Sequence, residues 1–270
     1  MPRIWWCVTG PLAFLPIHAA GIYATSITKA GAILSDFAIS SYIPNVRSLT
    51  ERVQNSLQVL EKQGKKKTGF FMISQPATPG QQSIPGTTKE VLAIMQLFEN
   101  HNVQFKCLEG EDATVNQGIQ YMETYSCVHF ACHAHQDTRE PLKSRFLFHD
   151  GSLELLEIIK MKLEGADLAF LSACKTSTGY EKLSEEAIHL AAGMLAAGYR
   201  GVIATMWNIY DRHGAQVAKD FYAGLISHDL EPKQLNTDNA ARALHYAIQN
   251  LRRQLNDSVF DWITYVHFGL

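Results

Sequence analysis

From residue 69 to the end of the chain, short apolar runs of strand type alternate with longer segments whose apolar residues recur at helical spacing. The runs GFFMIS, VQFKCL, SCVHFAC, DLAFLSAC and GVIATMW read as strands. Between them KEVLAIMQLFENH, ATVNQGIQYMETY, ELLEIIKMKLEG and SEEAIHLAAGMLAAG read as helices. A helix from Asp211 to Leu225 follows, then NAARALHYAIQNLRRQL, then DWITYVHFG. Strand–helix alternation of this kind predicts a mainly parallel sheet covered on both faces, because parallel neighbours need a crossover long enough to hold a helix. Thr87 followed by Glu90 predicts a capping box, and Gly198 a helix end. Residues 1–64 lack the clean alternation. IWWCV reads as a strand closed by Thr9-Gly10-Pro11, and Leu49, Val53, Leu57 and Leu60 have helical spacing. This part is either an N-terminal subdomain (1–64) beside a core of 65–270, or the remaining edge of the same sheet.

A chain of 270 residues buries a substantial core without disulfides or metals. Lys and Arg number 24 against 26 Asp and Glu, so no global field recruits nucleic acid or an anionic membrane. The start, MPRIWWCVTGPLAFLPIHAAG, has the apolar flavour of a signal segment, but Pro11, Pro16 and His18 interrupt it, and it reads as strand and turn. No uninterrupted run approaches the length that spans a bilayer. The five cysteines are odd in number and mostly sit inside apolar runs, the usage of reduced thiols in a cytoplasmic protein. Function is therefore expected in a local site, with neither nucleic acid nor membrane as partner.

In an open parallel sheet, ligands bind outside the carboxyl ends of the strands. His133 follows the run CVHFAC and Cys174 ends the run DLAFLSAC, which puts both on one rim. The cluster Cys127, Cys132, His133 and His135 suggests metal. Strand alternation, however, sends Cys127, His129 and Ala131 to one face and Val128, Phe130 and Cys132 to the other, and no CxxC pair is present to anchor an ion. No metal or other cofactor is expected. Nucleophilic catalysis needs an accessible thiol, an imidazole within reach and backbone donors for the oxyanion. Cys174, with Lys175 beside it and a polar loop following, suits the nucleophile, and His133 the base. Spacing alone leaves open that Cys174 is a small buried hydrophobe and the histidines are polar strand ends.

Several long stretches, in order, resemble the CHAT domain family, caspase-like domains often attached to tetratricopeptide repeats and distantly similar to separases. They are RIWWCVTGPLAFLPIHAAG, SIPGTTKEV, VHFACHAHQD, PLKSRFLFHDGSL, LAFLSACKTSTGYEKLSEEAIHLAAGMLAAGYRGVIATMWNIYD and WITYVHFG, distributed in that order along nearly the whole of residues 1–270. The resemblance implies a caspase-like three-layer α/β/α sandwich and a thiol endopeptidase acting on a protein substrate. His133 matches the family's catalytic histidine and Cys174 its nucleophile, with the N–H groups of Ala134 and Cys174 as the oxyanion hole. Many relatives carry glycine where this chain has Ala134; alanine keeps the N–H and loses easy access to positive φ. Ser172 stands where metacaspases carry an acid, so their specificity does not transfer. Trp207, Ile209 and Asp211 resemble a separase stretch whose acid serves a pocket for a basic residue; otherwise Asp211 caps the next helix. Relatives usually carry an N-terminal sensor or repeat domain. The alternatives are a catalytically silent caspase-like binding module and a thiol acyltransferase or hydrolase on the same dyad.

Overall fold

The apolar runs become strands of one sheet. In a computed structural model of the chain, which describes residues 1–23, 32–50, 53–54, 69–137, 139–172, 186–206, 211–226, 235–255 and 259–270, the strands are β1 (Arg3–Trp6), β4 (Ile39–Tyr42), β5 (Phe70–Ser74), β6 (Phe105–Glu109), β7 (Cys127–Ala131), β11 (Leu168–Leu171), β12 (Gly201–Thr205) and β13 (Tyr265–Gly269). They lie in the order β1-β4-β13-β12-β11-β7-β5-β6. Every neighbouring pair is parallel except β12 with β13, so β1, β4 and β13 run against the other five. The first 42 residues thus supply two strands to an edge of the common sheet. A small ribbon, β2 (Gly21–Ile22) with β3 (Ala32–Ile33), stands apart from it.

Helices cover both faces. Among them are α1 (Gly86–Asn100), α2 (Val115–Thr124), α3 (Leu155–Met161), α4 (Glu186–Ala197), α5 (Asp211–Leu225), α6 (Ala240–Gln254) and the short α7 (Val259–Trp262). Strand alternation divides the core between the faces. Val128 and Phe130 of β7, with Ala169 and Leu171 of β11, pack with α2, α3 and α4. Cys127, Ala131, Leu168 and Phe170 pack with α1, α5 and α6. All five residues of β5 and of β7 are buried, as expected of strands covered on both sides. Burial of a side chain such as Phe70, Phe130 or Phe170, each without exposure, contributes about 1.5–3 kcal/mol.

Two features depart from the sequence reading. After β7 the chain builds a three-stranded antiparallel sheet, β8 (Ala134–His135), β9 (Arg145–Leu147) and β10 (Ser152–Glu154), whose strands are too short to leave a periodic signature. Thr87 and Glu90 do not form a capping box. Helix α1 starts at Gly86 behind Pro85, whose own backbone is already helical, so Thr87 lies inside the first turn and its Oγ1 donates to the Ile84 carbonyl at 2.9 Å. Glu90 is freed from the helix start and is buried instead. Gly198 does end α4, at φ +124°, and a Cβ there would lie 2.6 Å from the Leu163 carbonyl oxygen.

Candidate active site

From β5 the chain passes through α1 on one face, and from β7 through α3 on the other. These neighbouring strands therefore open a crevice at their carboxyl ends, the switch point where parallel sheets bind ligands. His133 stands there, two residues past β7 and 2% exposed. Its Nε2 lies 2.7 Å from the carbonyl oxygen of Gln82, in the loop after β5. A carbonyl only accepts, so Nε2 carries the proton of the neutral ring and Nδ1 is left as its acceptor. That is the tautomer a general base needs, and the Gln82 carbonyl also stabilises the imidazolium once Nδ1 takes a proton. Gln82 escaped the sequence reading because any residue supplies the same backbone oxygen.

Ala134 opens β8. The residues with positive φ other than glycine are Asn102 and Lys162 among those described, so Ala134 occupies ordinary extended backbone and has no need of glycine there. The N–H of Leu147 donates to the His133 carbonyl at 2.8 Å, while Ala134 faces Phe146 in the antiparallel register. Antiparallel pairs alternate between bonded and non-bonded partners, so Ala134 falls in a non-bonded pair and its N–H points away from β9. His135, beyond it, is exposed and opposite Arg145.

His129 belongs to the interior. It has no exposure, stacks on Phe170 with ring centroids 4.9 Å apart, and holds Nδ1 3.0 Å from the Tyr222 hydroxyl. Burial pushes its pKa down to about 3, so at neutral pH it carries no charge. Its Nε2 lies 3.4 Å from Glu90 Oε1, a contact that is therefore not an ion pair at neutral pH. The other carboxyl oxygen of Glu90 accepts from the Ser172 hydroxyl at 2.7 Å. Both residues of this pair are buried, at 4% and 6% exposure. Glu90 was hidden in the sequence by its spacing from Thr87, which mimics a cap.

Cys127 and Cys132 are buried on opposite faces of the sheet, and burial pushes the Cys132 thiol up to about 12. Among the described residues, no group of three His, Cys, Asp or Glu side chains is placed to hold a metal ion. Nor is any helix among them long and apolar enough to cross a membrane. Cys174 lies outside the described residues, as does Trp207 with Ile209. Asp211 is the first residue of α5.

A family model described as the CHAT domain matches residues 1–270. No curated protein matches the sequence. Among solved structures, the chain is similar to the Arg-specific cysteine proteinase gingipain R, at 11% identity and TM-score 0.50, with 86% of this chain and 54% of that one covered. It is also similar to the Saccharomyces cerevisiae separase–securin complex, at 13% identity and TM-score 0.55, with 88% of this chain and 14% of that one covered. The chain thus spans about half of the first structure's length and a small part of the second's. At such identities the likeness is one of fold, the caspase-like three-layer sandwich.

Proposed function

We propose that this chain, which belongs to the CHAT domain family, is a cysteine endopeptidase domain with Cys174 as nucleophile and His133 as acid and base. The observation that carries the reading is a register. Strands β7 and β11 are parallel neighbours with Leu171 opposite Phe130, an offset of 171 − 130 = 41. Cys174 and His133 have the same offset, 174 − 133 = 41. Each is three residues beyond the last paired position, so the chain has equal length to run from two adjacent strand ends to thiol and imidazole. The Gln82 carbonyl supports the role of His133 by leaving Nδ1 as the acceptor.

The chemistry follows. The Cys174 proton passes to His133 Nδ1 as the sulfur attacks the scissile carbonyl carbon, and the oxyanion takes hydrogen bonds from the N–H groups of Ala134 and Cys174. His133 then protonates the amine nitrogen as the C–N bond breaks, leaving an acyl-enzyme. Water attacks that thioester while His133 takes a proton, and the acid product leaves with the thiol restored. The extended backbone at Ala134 supports the reading, because alanine adopts it as readily as glycine. Protein substrates with Arg or Lys before the cut, recognised by Asp211, complete the reading, together with a cytoplasmic location and a sensor or repeat domain as partner.

The test is labelling by peptidyl acyloxymethyl ketones of several sequences. Wild type should be modified at Cys174, and Cys174→Ala and His133→Ala should not. Absence of labelling in folded wild type, across Arg-terminated, Lys-terminated and uncharged probes, would leave a silent module in its place.

A further inference from the structure

The loop and helix start between Gln82 and Glu90 touch both strand ends of the candidate site. At one end the Gln82 carbonyl accepts from His133 Nε2 at 2.7 Å. At the other, eight residues on, Glu90 Oε2 accepts from Ser172 Oγ at 2.7 Å. Ser172 is the first residue past β11 and stands two before Cys174. We propose that Glu90 is a positioning residue for the nucleophile, acting through Ser172 to set where the chain leaves β11. The inference rests on the Cys174–His133 reading above.

The surroundings of Glu90 fit that task. Its carboxyl projects from α1 onto the sheet, where His129 Nε2 lies 3.4 Å from Oε1. His129 is itself held between Phe170 of β11 and Tyr222 of α5. Glu90 thereby joins α1, β7 and the end of β11 in one buried set of polar contacts. Burial of a carboxyl against a hydroxyl contributes little net stability, since desolvation offsets most of the hydrogen-bond gain. A well-packed apolar pair at the two positions would hold helix to sheet as firmly. What the polar pair adds is direction: a short hydrogen bond fixes the Ser172 side chain and, through it, the backbone that carries the thiol two residues later. Displacement of a reacting group by about 1 Å costs on the order of a hundredfold in rate. A two-residue tether is short enough to pass such a displacement on.

The experiment measures inactivation by an Arg-terminated acyloxymethyl ketone on Glu90→Leu, which removes the acceptor, Ser172→Ala and the double variant, each verified as folded by circular dichroism and melting temperature. The inactivation rate at saturation should fall about 10- to 100-fold in each single variant, while the concentration giving half that rate stays within about twofold. The double variant should lose no more than the worse single one, because the two residues act through one bond. Rates equal to wild type in folded variants, or losses that multiply in the double variant, would overturn the positioning role while the labelling of wild type and its abolition in Cys174→Ala keep the peptidase reading intact. Unlabelled wild type would overturn both.

Discussion

Lowering the pH from 8 to 5 should remove about 4 kcal/mol of folding stability through two buried histidines. His18 accepts at one nitrogen and donates at the other, between the Tyr42 hydroxyl at 2.8 Å and the Ile263 carbonyl at 2.9 Å. Burial pushes its pKa down to about 4, against the partial support of that carbonyl for the charged form, and burial alone pushes His129 down to about 3. In the unfolded chain each titrates near 6.5. Between these values the unfolded state binds a proton that the folded state refuses, so stability is complete above pH 6.5 and declines as pH falls. Integrated from pH 8 to 5, this comes to about 2 kcal/mol for each histidine. His245 and His267, both also depressed first by burial, push in the same direction. The loss is large beside a total stability of about 5–15 kcal/mol for a typical domain. Ordinary carboxyl groups titrate mostly below this window, near pH 4. Urea unfolding followed by tryptophan fluorescence at pH 8, 6.5 and 5 measures the decline, and His18→Gln, which keeps an amide donor for Ile263, should reduce it by about 2 kcal/mol. A wild-type stability that is flat from pH 8 to 5, or an undiminished decline in His18→Gln, would refute the assignment of neutral buried imidazoles.

Gly118→Ala sets helix propensity against packing: alanine gains about 1 kcal/mol in α2, but its Cβ would meet Phe148 Cε1 at 2.5 Å in a filled core, an overpacking cost of about 1–3 kcal/mol. Thermal melting should therefore show a net loss, and a raised melting temperature would mean that Phe148 yields freely. Alkylation with iodoacetamide at pH 7.5, mapped by mass spectrometry, should leave Cys127 and Cys132 unmodified until the chain is unfolded, slow Cys107, whose thiol burial pushes up to about 11, and modify exposed Cys7 at an ordinary rate. Cys174 should react ahead of all four, and faster reaction at Cys7 would count against it as the nucleophile. Asp211→Asn keeps most capping capacity and removes a charge. A peptide-library cleavage profile should lose its preference for Arg or Lys before the cut while the melting temperature holds, and an unchanged profile would leave Asp211 as a cap.

Local pattern carried much of this architecture. The runs GFFMIS, SCVHFAC and DLAFLSAC declare strands because strands buried on both faces are mostly apolar, and the helices between them declare parallel pairing because a crossover needs their length. The place of His133 was legible for the same reason, as a polar side chain just past an apolar run, on the rim where parallel sheets in general bind ligands. Direction and partnership were not legible. Nothing in WITYVHFG says that β13 runs against β12, since its two faces are as apolar in either sense. Nothing in the loop PATPGQQSIPG marks Gln82, because a carbonyl oxygen is common to every residue. Glu90 misled outright. Three positions after a threonine it has the spacing of a cap, yet the helix begins two residues too early for that, and its partners, His129 39 residues away and Ser172 82 residues away, meet it only once β7 and β11 lie side by side beneath α1. Periodicity records which face of an element is dry. Which atoms meet across the dry face depends on distances between elements that no local pattern contains.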